Sequence, residues 1–175
     1  MNNEQKPEVL FPVAEIAAAI DRLAAEIHRD YLDKEPLLLG ILKGSFMFMA
    51  DLVRQIDLSL EIEFVRLSSY GHGTESSGKI KVVQGLRSAV IGRDVLVIED
   101  IIDTGLTVAY LLEYLRKKRP ASLRLCTLLD KPSRRRVKVS IDYTGITVPD
   151  KFLVGYGLDC DEKYRNLPDI CVLEE

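Results

Sequence analysis

Glu99 and Asp100 follow the run Val95-Leu96-Val97-Ile98, and after Ile101 and Ile102 comes Asp103-Thr104-Gly105-Leu106-Thr107. Adjacent acids suit two tasks, ligating a hard cation through oxygen and accepting hydrogen bonds from the vicinal hydroxyls of a sugar. The Asp-Thr-Gly-x-Thr turn supplies hydroxyls and a glycine just ahead of Val108, Leu111, Leu112 and Leu115, whose spacing is helical. A turn that opens a helix offers successive backbone N–H groups and the positive end of the helix dipole, a cradle for a phosphate dianion. Phosphate, diol and cation held by one short segment point to an activated ribose phosphate as the substrate.

These groups need a scaffold, and the hydrophobic pattern describes one. Residues 1–9 read as a frayed tail. Ile16, Ile20, Leu23 and Ile27 recur at helical spacing across 14–31. A short apolar strand over 37–42 follows, then a helix over 44–56 with Phe46, Met49, Ala50 and Val53 inward. Residues 60–68 alternate Ile62, Phe64 and Leu67 against Glu61, Glu63 and Arg66, as a strand with one wet face does. Residues 69–79 carry three glycines and read as a mobile loop opened by Ser69 and Tyr70. Further strands are expected at 80–84, 95–98, 123–129 and 152–156. Strands alternating with helices predict one α/β domain, 1–175, with a doubly wound, mostly parallel sheet. Ligands of such sheets bind beyond the carboxyl ends of the strands. Lys43-Gly44-Ser45, Tyr70, the 99–107 segment, Lys131 and Asp159 each follow a predicted strand and would meet at one rim.

Together Leu42-Lys43-Gly44-Ser45, Ser69-Tyr70, Glu99-Asp100 with Asp103, Lys131-Pro132, and Pro149-Asp150-Lys151-Phe152-Leu153-Val154-Gly155-Tyr156-Gly157-Leu158-Asp159 resemble the hypoxanthine-guanine phosphoribosyltransferases in order and spacing. The likeness runs from near residue 10 to the C-terminus and is closer to the short bacterial members than to the longer animal ones. It implies a type I phosphoribosyltransferase fold with a small hood built from the terminal segments. It also implies a purine salvage reaction: 5-phosphoribosyl passes from phosphoribosyl pyrophosphate to hypoxanthine and/or guanine, giving IMP or GMP and pyrophosphate, with Mg2+. By this resemblance Glu99, Asp100, Asp103, Thr104, Gly105, Leu106 and Thr107 hold ribose and 5-phosphate, and Asp103 faces the purine N7 as catalytic base. Lys43, Gly44 and Arg165 take pyrophosphate, with a non-proline cis bond expected between Leu42 and Lys43. Lys131 reaches the purine O6, Phe152 stacks on the ring, and the Leu153 carbonyl accepts from the base edge. Ser69 and Tyr70 close the site, while Glu99 and Asp100 face one magnesium and Asp159 a second. Leu106 stands where some relatives have lysine, and its role passes through the backbone. A xanthine-preferring or other transferase, or a non-catalytic regulator, are the alternatives. The Lys131 ammonium suits a 6-oxo group and would repel the amino group of adenine.

The 175 residues are 47% hydrophobic and 29% charged with net charge −3, so no global basic field argues for nucleic acid. Arg116-Lys117-Lys118-Arg119 ends a predicted helix and complements its dipole. Arg134-Arg135-Arg136 reads as a solvated loop. Cys126, Cys160 and Cys171 lack Cys-x-x-Cys spacing, which fits a reducing compartment and argues against disulfides or structural zinc. His28 and His72 are too few for a histidine-rich metal centre. With no signal pattern and no membrane-length apolar run, a cytoplasmic protein is expected. The apolar helices at 14–31 and 44–56 lead to the expectation of a homodimer or homotetramer.

Overall fold

The structure is a computed structural model and describes residues 7–70, 79–84, 86 and 89–173. Along the chain lie β1 (Glu8–Phe11), α1 (Val13–Asp30), β2 (Leu37–Leu42), α2 (Phe46–Gln55), β3 (Glu61–Tyr70) and β4 (Lys79–Gln84). Then come β5 (Asp94–Ile102), α3 (Leu106–Arg116), β6 (Ser122–Asp130), a 3-10 turn (Pro132–Arg134), β7 (Tyr143–Thr147), β8 (Leu153–Val154) and β9 (Ile170–Val172). A six-stranded sheet has the order β4-β3-β2-β5-β6-β7. All its neighbours are parallel except β4, which runs antiparallel to β3.

Helices cover both faces, which is why β2 and β5 are apolar almost throughout. Leu96 and Ile98 of β5 face α1 and α2, in one core with Ile16, Ile20, Leu23, Ile27, Phe48, Met49 and Leu52. Val95 and Val97, pointing the other way, pack with Val108, Leu111 and Leu115 of α3. The predicted doubly wound sheet is therefore the observed one. The expected hood is present as a second, antiparallel sheet of order β1-β9-β8, built from the two ends of the chain and residues 153–154. Asp169 Oδ1 accepts from the Val13 backbone N–H at 2.9 Å and fastens the start of α1 to this hood.

Several boundaries differ from expectation. Residues 8 and 9 are not a tail, because Glu8 and Val9 pair with Val172 and Cys171. The loop expected over 69–79 is narrower, since Ser69 and Tyr70 pair with Ile80 and Lys79. Its remainder, 71–78, lies outside the described residues. The strand expected at 152–156 shrinks to Leu153–Val154 and belongs to the hood, its path broken by positive φ at Gly155, Tyr156 and Gly157. Short β1, β7 and β9 were not anticipated. In α2 the buried stripe is Phe48, Met49 and Leu52, leaving Phe46 37% exposed. Ile62 is 44% exposed at the start of β3, ahead of the part that β4 flanks. Among the described residues no cysteine is paired, and no helix is long and apolar enough to cross a membrane.

Candidate active site

β5 continues past its apolar run to Ile102, so Glu99 and Asp100 are strand residues and not part of a following loop. Alternation sends the two carboxylates to opposite faces of the sheet edge. Glu99 looks toward α3, where it lines a pocket with Asp103, Thr104, Gly105, Thr107 and Val108. Gly105 has φ 81° and caps α3 without a side-chain hydrogen bond, and no acid occupies the first turn of the helix. Leu106 N–H turns to Thr104 Oγ1 at 3.4 Å, and the rest of the first turn presents N–H donors and positive dipole to this pocket, beside Thr107. The segment 103–107 thus opens α3 as a glycine turn, the local form its residue types suggested.

Behind the turn stands a group that sequence reading placed in solvent. Arg135, its side chain 17% exposed, donates Nε–H to the Asp103 carbonyl at 3.1 Å and an Nη2–H to the Ile102 carbonyl at 3.3 Å. The same guanidinium pairs with Asp130 at the end of β6. A Cβ at Gly105 would stand 2.9 Å from Arg135 Cδ, so the glycine lets arginine and turn close together. Arg134 lies 3.5 Å from Asp103 Oδ1 and 3.9 Å from Asp150. Arg134 and Arg135 of the basic run thus brace the turn.

Asp100 looks the other way, onto the loop between β2 and α2. A Cβ at Gly44 would fall on the Asp100 carboxylate, so only glycine lets this loop approach. The Leu42–Lys43 peptide bond is cis, as the resemblance implied. Ser45, fully buried, donates its hydroxyl to the Ile41 carbonyl at 2.7 Å and closes the turn. The Gly44 carbonyl lies where a Cβ at Gly157, φ 97°, would clash, so the strap 155–157 packs directly on this loop. Tyr156, in the same strap, donates its hydroxyl to Asp51 of α2.

Charge accumulates without full compensation. Burial, reinforced by Asp100, holds the Glu99 carboxyl well above the usual carboxylate range. Burial also pushes Asp100 up to about 6, against the pull of backbone N–H groups and the Arg165 guanidinium. Among the described residues Glu99 Oε2, Asp103 Oδ1 and Arg165 Nε are buried and lack a hydrogen-bond partner. Such carboxylates, hard oxygen donors short of positive charge, fit a divalent cation. No three Asp, Glu, His or Cys side chains among the described residues converge on one ion position, so Glu99, Asp100 and Asp159 do not form a single chelate.

Lys43 Nζ meets Glu162 Oε1 at 2.8 Å. Arg165 donates to the Gly157 carbonyl at 2.7 Å and to Glu162 Oε2 at 3.3 Å, and forms an ion pair with Asp159 Oδ1 at 2.8 Å. Asp159 is therefore engaged by arginine on one oxygen and by the Glu162 N–H at 2.9 Å on the other. Lys131 is 4% exposed and donates to the Lys151 carbonyl at 2.7 Å, which leaves two of its three N–H donors for other acceptors. Phe152 is 45% exposed beside it. Its carbonyl accepts from Leu173 N at 3.0 Å, so by ladder alternation the next pair, Leu153 with Val172, directs its own polar groups outward. The Leu153 carbonyl thus faces the free edge of the hood. Ser69 and Tyr70 end β3, leading into the segment outside the described residues.

Known proteins share this arrangement. Residues 10–161 match the phosphoribosyl transferase domain family. A hypoxanthine-guanine phosphoribosyltransferase of Bacillus subtilis (strain 168) is 50% identical over 167 residues, covering 95% of this chain and 93% of that protein. The hypoxanthine phosphoribosyltransferase of Escherichia coli (strain K12) is 47% identical over 93% of each chain. A crystal structure of the Staphylococcus aureus hypoxanthine phosphoribosyltransferase superposes with a TM-score of 0.92 at 46% identity, covering 95% of this chain and 91% of its own. A family match over residues 10–161 and relatives close to 50% identical over nearly the whole chain place it among the hypoxanthine-guanine phosphoribosyltransferases of the phosphoribosyltransferase family.

Proposed function

We propose that this protein is a purine salvage enzyme that joins C1 of ribose 5-phosphate to a nitrogen of hypoxanthine or guanine and releases pyrophosphate. The observation that carries this reading is the end of β5. One acid there faces the pocket at the start of α3, and the next touches the cation-bearing loop of Lys43 and Gly44. A single strand terminus thus spans the distance between a phosphate cradle and an anion-binding loop.

In this reading Thr104, Gly105, Leu106 and Thr107 hold the 5-phosphate through N–H groups and hydroxyls. Lys43, the Gly44 backbone and Arg165 receive pyrophosphate. Lys131 donates to O6 of the base, Phe152 covers its face, and the Leu153 carbonyl accepts from its edge. Asp103 accepts the N7 proton as the ring nitrogen attacks C1 and the C1–O bond to pyrophosphate breaks. Its negative charge also offsets the oxocarbenium character of the ribose. Glu99 and Asp100 would hold magnesium beside the ribose hydroxyls, and Asp159 a second ion once Arg165 turns to ligand. Bound magnesium would neutralise charge on the leaving pyrophosphate. Ser69 and Tyr70, with the segment that follows, would cover the site and exclude water. A cytoplasmic homodimer or homotetramer is part of the same reading, to be checked by light scattering.

The test is formation of nucleoside monophosphate from phosphoribosyl pyrophosphate, magnesium and each of hypoxanthine, guanine and xanthine. Turnover of hypoxanthine, guanine or both, in preference to xanthine, is expected. A marked preference for xanthine, or no transfer to any 6-oxopurine, would overturn the assignment.

A further inference from the structure

Glu162 is the acid in the wrong place for an enzyme that binds pyrophosphate. Its two carboxylate oxygens divide between two cations, Oε1 at 2.8 Å from Lys43 Nζ and Oε2 at 3.3 Å from an Arg165 guanidinium nitrogen. These are the groups assigned above to pyrophosphate, and the inference rests on that assignment. We propose that Glu162 stands in for pyrophosphate in the ligand-free enzyme, so that donor must displace it and its return helps product leave.

Its position is held by a backbone that ordinary preference would not choose. Cys160 and Lys163 exchange backbone hydrogen bonds of 3.2 and 3.0 Å around a two-residue turn. Both central residues, Asp161 at φ 50° and Glu162 at φ 63°, are left-handed. Turns of this kind favour asparagine or glycine, and a glutamate there is strained. The Glu162 N–H is tied to Asp159 Oδ2 at 2.9 Å, which aims the side chain back over the loop of Lys43. Lys43 and Arg165 hold the Glu162 carboxyl below its usual range, so the stand-in is ionised at any physiological pH. It is also displaceable. The Glu162 side chain is 63% exposed and that of Lys43 45%, and ion pairs open to water are weak. Arg165 keeps its firmer hydrogen bond to the Gly157 carbonyl when this one is given up. A ligand with several negative charges would win the exchange, whereas a monoanion would compete on even terms. Glu162 would therefore screen the loop against small anions as well as tune release of pyrophosphate.

Calorimetric titration of inorganic pyrophosphate with magnesium into the wild type, Glu162→Gln, Glu162→Gly and Lys43→Ala tests this. Both Glu162 variants should bind pyrophosphate about three- to tenfold more tightly, the scale set by losing exposed competing ion pairs. Inhibition by inorganic phosphate should strengthen too, and KM for hypoxanthine should not move. Glycine suits the turn, so Glu162→Gly should melt no lower than the wild type, which separates lost charge from lost structure. In the Lys43→Ala background the Glu162→Gln gain should shrink, because its main partner is gone. Unchanged or weaker pyrophosphate binding in both Glu162 variants, with Lys43→Ala still impaired, would overturn the inference alone. Wild-type affinity in Lys43→Ala would overturn the pyrophosphate assignment of Lys43 and the inference with it.

Discussion

At Asp103 the backbone and the side chain are held by different neighbours. Arg135 takes the carbonyl at 3.1 Å, while Oδ1 has only Arg134 at 3.5 Å and no hydrogen bond. A carboxylate left short of partners beside a phosphate cradle is placed to accept a proton from a base. Asp103→Asn should preserve donor binding and slow the chemical step by about 10²–10⁴-fold, the usual cost of losing a general base. Single-turnover kinetics beside donor binding would measure both. Collapse of donor affinity with normal chemistry would make Asp103 a cap of the turn. Arg135 is different, since its fork spans two carbonyls and Asp130 and no single ammonium reaches all three. Arg135→Lys should therefore raise the donor KM about tenfold or more with little effect on the purine KM, as a slackened phosphate turn requires. Equal changes in both constants would assign Arg135 to general stability. Nothing in Arg134-Arg135-Arg136 as a string distinguishes a brace from a solvated run, because the carbonyls it grips become neighbours only when β5 and β6 align.

The acids of β5 carry a consequence for the whole element. Asp100 is pushed up to about 6 by burial, from an ordinary value of 3.8, and Glu99 is displaced in the same direction. Near pH 3 both the folded and unfolded chain hold the proton, and Asp100 does not oppose folding. As pH rises through 3.8 the unfolded chain ionises first, so stability falls until the folded group ionises at about 6, then stays level. The loss is at most about 3 kcal/mol. Asp100→Asn should accordingly raise Tm at pH 7.5 by roughly 5–10 °C in the presence of a chelator, with the gain shrinking toward pH 4. Melting curves across that range give the answer, and a constant offset at every pH would deny the titration. Elements of this kind were legible in proportion to their burial. β2, β5 and β6 announce themselves as apolar runs, and the buried face of α1 follows its periodicity. The sequence misled where one strand changes partners. Residues 152–156 are apolar enough for the central sheet, yet positive φ at Gly155 and Gly157 turns them into the hood. β7, with Tyr143-Thr144-Gly145-Ile146-Thr147, has too little apolar content to be noticed. The expected inward face of α2 was offset because Phe46-Met47-Phe48-Met49 offers two equally apolar stripes, and packing against the sheet selects the one with Phe48 and Leu52.

On the proposed reading, recognition divides between two bodies of different origin. The central sheet supplies the phosphate turn, the acids and the Lys43 loop. The hood gathers residues 8–11, 153–154 and 170–172, and its β8 carries Leu153 next to Phe152. Among the described residues β8 pairs with β9 alone, and β9 is held on its other side by β1. The first strand of the chain is thus two strands away from the free edge of β8, yet it fixes the middle strand on which that edge hangs. Leu10 and Phe11 also pack on the core shared with α1 and α2, tying hood to sheet. Removal of residues 1–11 should leave a folded chain of lower Tm in which β9 becomes an edge and β8 loses its reference. The KM for hypoxanthine should rise by about tenfold to a hundredfold, the effect of misplacing contacts without deleting them. Pyrophosphate binding, assigned by the proposed reading to loops of the central sheet and the strap packed on Gly44, should stay within about twofold if the two bodies are energetically separate. Calorimetry with pyrophosphate and steady-state kinetics with hypoxanthine, both run well below the lowered Tm, would decide. A parallel loss of both affinities would mean that hood and sheet act as one unit, with base and donor sites coupled through Gly157 and Gly44.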